Sequence, residues 1–129
     1  MQAESRLFLA KARESLASAE ADLEAGRFNS AANRAYYSVF QAAVAALIEQ
    51  GVGPRGASWD HKFVISEFSG KLMRRRKLMA AQFVGVLDSL LTARLRADYR
   101  ANSIGMKTAR RSTKEARGFV TELTRILEG

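Results

Sequence analysis

The sequence has no cysteine, a single histidine (His61) and a single proline (Pro54). Without cysteine there can be no disulfide and no thiolate metal site. A lone histidine cannot build a multi-histidine centre, and no dense Asp/Glu cluster takes its place, so no metal or other cofactor is expected. With proline nearly absent and glycine scattered, long helices are favoured over a turn-rich β protein. No apolar run reaches the ~18–20 residues of a membrane span. The N-terminal stretch MQAESRLFLAKARESLASAE carries charge throughout, unlike a signal peptide, so the chain is expected to stay in the cytoplasm. A Gly-rich phosphate loop, a Ser/His/Asp set and zinc-ligand spacing are all missing, which argues against enzymes of those classes.

What is present is an ordinary globular composition: 129 residues, 47% hydrophobic and 26% charged. That is enough for one core in one domain, residues 1–129. The charge is unevenly placed. Residues 1–60 hold 6 Lys/Arg against 7 Asp/Glu, net −1, whereas residues 61–129 hold 15 against 6, net +9. Such a basic half attracts anions such as phosphates or acidic partners, although a solvated surface has the same composition.

Apolar residues at three- and four-residue steps predict an all-α, up-and-down bundle of four long helices and one short one. Leu9, Ala12, Leu16, Ala19 and Leu23 mark a helix over 4–25 that Gly26 ends. A second helix, capped by Asn29 or Ser30, runs to Gln50 with Ala32, Ala35, Tyr36, Val39, Ala43, Ala46 and Leu47 along its stripe. GVGPRGASWD breaks the pattern at 51–60. Ser58 is the expected cap of a short third helix closed by Gly70, with KLMRRRK as a connector. The fourth helix is predicted over Leu78–Asp98, followed by a loop over 100–108. Ser112 and Glu115 have capping-box spacing for the last helix, which could begin a turn earlier.

Three segments together carry a family resemblance: SAANRAYYSVFQAAVAALIEQG (30–51), ASWDHKFVISEF (57–68) and LTARLRADYR (91–100). Their order and spacing resemble a branch of the HEPN superfamily with an R-A-Y-Y helix and an R-x-x-A-D-Y helix end, over about residues 5–127. The resemblance implies a helical bundle that dimerises, encoded in many cases beside a small nucleotidyltransferase and in some acting as a toxin of a toxin–antitoxin pair. It also implies, for many members, a metal-independent ribonuclease with an R-x4–6-H motif, the Arg holding phosphate charge and the His moving a proton. The Arg matches Arg94 here, but Tyr99 stands where the His belongs. A phenol with pKa near ~10 is a poor proton acceptor at neutral pH. Ribonuclease activity through Arg94 and Tyr99 is therefore the alternative reading, not the leading one. A second formal match, Arg55 to His61, straddles the loop and is weaker still.

The candidate ligand-binding or structural motif is Arg34, Tyr36, Tyr37 and Asp98. The rings could stack a base; equally, Tyr36 could be buried and Arg34 paired with Asp98, the arrangement expected here. Lys71, Arg74, Arg75, Arg76 and Lys77 form a dense basic cluster. Arg110, Lys114 and Arg117 lie a turn apart, with Lys107 and Arg111 beside them. These would grip phosphate without reading sequence. The leading expectation is a homodimer serving as a non-catalytic helical subunit. It would work with a nucleotidyltransferase partner and bind nucleotide or RNA, away from any membrane. A purely structural dimer is the third reading.

Overall fold

Helix α1 spans Ala3–Glu24 and α2 spans Phe28–Glu49, and the two pack along most of their length. Small side chains make this possible. Ala12, Ala19, Ala35, Ala42, Ala43 and Ala46 are wholly buried, so the backbones approach closely enough for the Ser5 hydroxyl to donate to the Ala45 carbonyl at 2.6 Å. Gly26 and Gly51 follow the two helices with φ of 77° and 79°, the left-handed stop that the sequence predicts for Gly26. The computed structural model describes residues 1–54, 56 and 58–129, and among them all regular structure is helical.

Asn29 and Ser30 do not cap α2. The helix begins at Phe28, and both side chains serve other elements: Asn29 Oδ1 accepts from the Ile104 amide at 3.0 Å, and the Ser30 hydroxyl donates to Asp22 at 2.6 Å. Asn29 thereby pins the loop before the last helix. That loop seats Ile104 in a small cluster with Ala31, Ala32, Ala97 and Ala109.

After the break, α3 spans His61–Glu67, and its cap is Asp60, which accepts from the Lys62 amide, rather than Ser58. The helix does not stop at Gly70. It widens into a π-helical segment, Phe68–Arg75, because Phe68, Leu72 and Met73 are all buried along it. That burial, about 1.5–3 kcal/mol for each large side chain, outweighs the roughly 1 kcal/mol a helical glycine costs. The segment ends where Lys77 takes φ 49° and the Leu78 amide donates to the Leu72 carbonyl at 2.8 Å.

The fourth helix starts later than the periodicity predicts. A single turn, Ala81–Phe83, precedes Gly85 at φ 86°, and α4 runs Val86–Tyr99. Phe83 misleads because it does enter the core, its ring 6.4 Å from Phe119, but from a turn. The last helix, α5, spans Met106–Glu128, so Ser112 and Glu115 lie in its interior and Ser112 is buried. Helix α2 lies centrally, in contact with α1, α3, α4 and α5. Leu9, Leu47, Phe68, Leu72, Leu90, Phe119 and Leu123 fill the space between them.

A candidate phosphate-binding cluster around Tyr37

Residues 36 and 40 share a face of α2, one turn apart, while 33, 34 and 37 turn toward α4. Tyr36 is fully enclosed, so its hydroxyl must find a partner inside the protein. The partner is His61, the first residue of α3, with 2.7 Å between the hydroxyl and Nδ1. The imidazole stacks on Phe40 at 4.5 Å and on Tyr36 at 5.5 Å, and meets Tyr37 edge to face at 5.8 Å. Burial holds the His61 pKa below its ordinary value; the Arg94 charge lowers it further and Asp60 partly opposes them. Burial, with Tyr37 adding to it, pushes the Tyr36 phenol far above the usual tyrosine range, so it stays protonated.

Two guanidinium groups attend Tyr37. Arg34 Cζ lies 5.0 Å from the ring centroid and Arg94 Cζ 5.4 Å. Arg94 Nε donates to Asp98 Oδ2 at 2.9 Å, an i,i+4 pair along α4, and the Asn33 amide donates to the same oxygen at 3.0 Å. Arg34 donates through Nε and a terminal nitrogen to Asn33 Oδ1, at 3.0 and 2.7 Å. The expected Arg34–Asp98 ion pair is therefore not formed. Asp98 pairs with the arginine one turn before it on its own helix, and Asn33 bridges the remaining gap to Arg34. Arg94 thus holds the carboxylate directly, and Arg34 is linked to it only through the Asn33 amide. Arg34 is half-buried, and among the described residues its side chain is hydrogen-bonded only to a neutral amide oxygen, with the Tyr37 ring beside it.

Tyr99 is 74% exposed at the end of α4, and its ring approaches the cluster only through Arg94, 5.9 Å away. The structure thus joins His61 to Tyr36 and places it within the field of Arg94. Arg55, the other half of the formal R-x5-H match, lies outside the described residues. The sequence signal for the His61 contact was the i,i+4 pair Tyr36 and Phe40, with Asp60 as the cap that makes His61 the first helical residue.

The basic clusters are arranged differently. Arg74, Arg75, Arg76 and Lys77 are exposed, and Arg74 and Arg75 occupy the final turn of the π-helical segment, where cations offset the carbonyl end of a helix. Arg75 and Arg76 line a recess with Gln50, Lys71 and Leu72. Arg110, Lys114 and Arg117 on α5 face Glu20 and Glu24 of α1, and Arg117 pairs with Glu20, so part of that positive face is neutralised. A recess of about 490 Å³ bordered by Phe83, Val84, Arg111 and Lys114 contains none of the Tyr37 cluster. The cluster remains the better candidate, because among the described residues it alone collects half-buried cations, aromatic rings and the histidine.

Among the described residues no group of three or more His, Cys, Asp or Glu side chains could hold a metal ion. Among them, too, no helix is long and apolar enough to cross a membrane. No curated protein matches the sequence significantly. The HEPN domain family model matches residues 5–127, nearly the whole chain, and the order of helices agrees with the bundle that the resemblance implies, so the protein belongs to the HEPN domain family.

Proposed function

We propose that this HEPN protein is a homodimeric, non-catalytic helical subunit of a two-component module, acting with a nucleotidyltransferase partner and binding nucleotide or RNA at the Tyr37 cluster. The observation that carries the binding reading is that Arg34 and Arg94 both lie against one tyrosine ring, while Asp98 pairs with Arg94 and Arg34 is hydrogen-bonded to the neutral Asn33 amide. A guanidinium without a carboxylate of its own is suited to a phosphate, to which it can present two parallel N–H donors. The half-buried Tyr37 ring and the exposed Tyr99 ring beside Arg94 suit a base, whereas Tyr36, fully enclosed, has no face to offer one. Exposed arginines at 74–76 would add attraction that does not depend on sequence.

The test is fluorescence anisotropy with a labelled single-stranded RNA, comparing the wild-type chain with Arg34→Ala and Arg94→Ala. Each replacement is expected to weaken binding by roughly tenfold, the value of a charge-assisted hydrogen bond of about 1.5 kcal/mol. Wild-type affinity in both variants would remove the cluster from consideration. Sedimentation at micromolar concentration tests the dimer, and co-expression with a nucleotidyltransferase encoded beside the gene tests the partner.

One observation favours the ribonuclease alternative: His61 and the Arg94 guanidinium both lie against the Tyr37 ring, which brings an Arg and a His near each other, though not in the R-x4–6-H order. Cleavage of RNA in the presence of EDTA, lost on His61→Ala, would establish it. The hydrogen bonding of His61 points the other way.

A further inference from the structure

The role of His61 turns on which ring nitrogen carries the proton, and Tyr36 decides that. The Tyr36 side chain is fully enclosed, and among the described residues its hydroxyl has one hydrogen-bond partner, His61 Nδ1 at 2.7 Å. If Nδ1 carried the proton, it would donate to the phenol oxygen, and the phenol proton would be left buried with nothing to accept it. An unpaired buried donor is costly, whereas an oxygen that uses only its proton leaves merely a lone pair unmatched. The arrangement that satisfies the pair is therefore Tyr36 O–H donating to Nδ1. In the neutral imidazole the other nitrogen, Nε2, must then carry the hydrogen.

The surroundings hold that state. The imidazole packs on Phe40 and beside Tyr36, in contact with Tyr37 edge to face, and the Arg94 guanidinium lies over the same Tyr37 ring. A second proton on His61 would place a charge in a partly buried position in the field of Arg94, and would also force the Tyr36 hydroxyl to reverse its bond. Asp60, among the described residues the one carboxylate that acts on His61 appreciably, immediately precedes it and offsets the repulsion in part.

We propose that His61 is a neutral N–H donor that binds the phosphate of a nucleotide or of single-stranded RNA through Nε2, with Tyr36 as the positioning residue that sets its tautomer. This deepens the phosphate-binding reading of the Tyr37 cluster and rests on it. Arg34 and Arg94 supply charge to the phosphate, and His61 supplies a directed donor that carries no charge. A ring nitrogen already bearing hydrogen cannot withdraw a proton from a 2′-hydroxyl, so in this tautomer Nε2 is a phosphate ligand and not a general base.

The single histidine allows a direct test on the full chain. Histidine-selective ¹⁵N labelling and long-range ¹H–¹⁵N correlation at neutral pH should give one ring spin system. The expected result is a pyridine-like Nδ1 and a pyrrole-like Nε2, shifting toward a tautomer mixture in Tyr36→Phe. Binding is then read with adenosine 5′-monophosphate and a short oligoadenylate, with adenosine as the phosphate-free control. His61→Ala should weaken both phosphate probes roughly tenfold. His61→Gln, whose amide nitrogen replaces Nε2–H, should recover most of that loss. An Nδ1–H tautomer in the wild type overturns the role of His61, as does unchanged binding in His61→Ala, even if the probes bind. Failure of the wild-type chain to bind either phosphate probe better than adenosine overturns the site reading itself. Loss confined to the oligonucleotide would assign the site to RNA, and loss with both to the phosphate group they share.

Discussion

The Tyr36 hydroxyl and His61 Nδ1 lie 2.7 Å apart and tie the middle of α2 to the first residue of α3 across the Gly/Pro break. The bond is enclosed on the tyrosine side and half-open on the histidine side. Tyr36→Phe keeps the ring that packs on Phe40 and Tyr37 and deletes only the hydroxyl. The expected cost is about 1 kcal/mol, that of one hydrogen bond with its acceptor left partly exposed to water. A urea titration should show a lower midpoint with an unchanged slope. An unchanged midpoint would mean that the bond adds nothing net to folding.

His61 also gives the fold a pH dependence with a definite sign. Burial first, and then the charge of Arg94, hold its folded pKa below the ordinary value of 6.5, with Asp60 opposing. In the unfolded chain the imidazole takes its proton near the ordinary value, so between the two pKa values the unfolded state binds more protons. The contribution of His61 is therefore complete above 6.5 and diminishes as pH falls from there through the lowered folded value. Urea midpoints followed from about pH 8 to pH 5 should fall more in the wild type than in His61→Gln. Parallel curves would show that His61 titrates alike in both states.

The pairing of Asp98 is open to a thermodynamic cycle. Arg94 and Asp98 side chains are 17% and 24% exposed, one helical turn apart. Their coupling should be about 0.3–0.5 kcal/mol, typical of an i,i+4 pair. The cycle between Arg34→Ala and Asp98→Ala should give a smaller value, because Asn33 stands between them. A larger coupling for Arg34 than for Arg94 would contradict the geometry.

Replacing Arg74, Arg75 and Arg76 together with alanine separates nucleic-acid binding from helix termination. If these side chains grip phosphates, the slope of log affinity against log salt should shrink by roughly one unit for every phosphate no longer neutralised. If they only offset the carbonyl end of the π-helical segment, the slope should not change. Stability should then fall by about 0.3–1 kcal/mol for each charge in the final turn. The expected outcome is a flatter slope with a small drop in stability, measured by anisotropy across a salt series and by urea titration.

Much of the architecture was legible in the residues themselves. The stripes of α1 and α2 and the stop at Gly26 follow from local spacing, because a long amphipathic helix repeats its signal over several turns. Boundaries failed where burial overrode local preference. Gly70 reads as a stop, yet Phe68, Leu72 and Met73 are buried on both sides of it and carry the helix through. Phe83 keeps helical spacing with α4 although it lies in a turn, since the core rewards an aromatic ring whichever backbone delivers it. Ser112 and Glu115 resemble a cap, but Ala109 and Ala116 are buried on one continuous face of α5 that runs past them.

The sequence by itself determined the helical class, the family, the basic second half and the exclusion of thiolate and multi-histidine metal sites. Each of these depends only on composition, on short-range periodicity or on motifs read in order. It also marked Arg34, Tyr36, Tyr37, Arg94 and Asp98 as residues of interest. Only the tertiary structure decided which of them meet. It placed Asn33 between Arg34 and Asp98, set Arg34 and Arg94 against one ring, and brought His61 to Tyr36 from 25 residues away. Such pairings depend on the angle at which α3 and α4 cross α2. That angle is set by how the buried side chains of these helices pack at once, which no local stretch of sequence encodes.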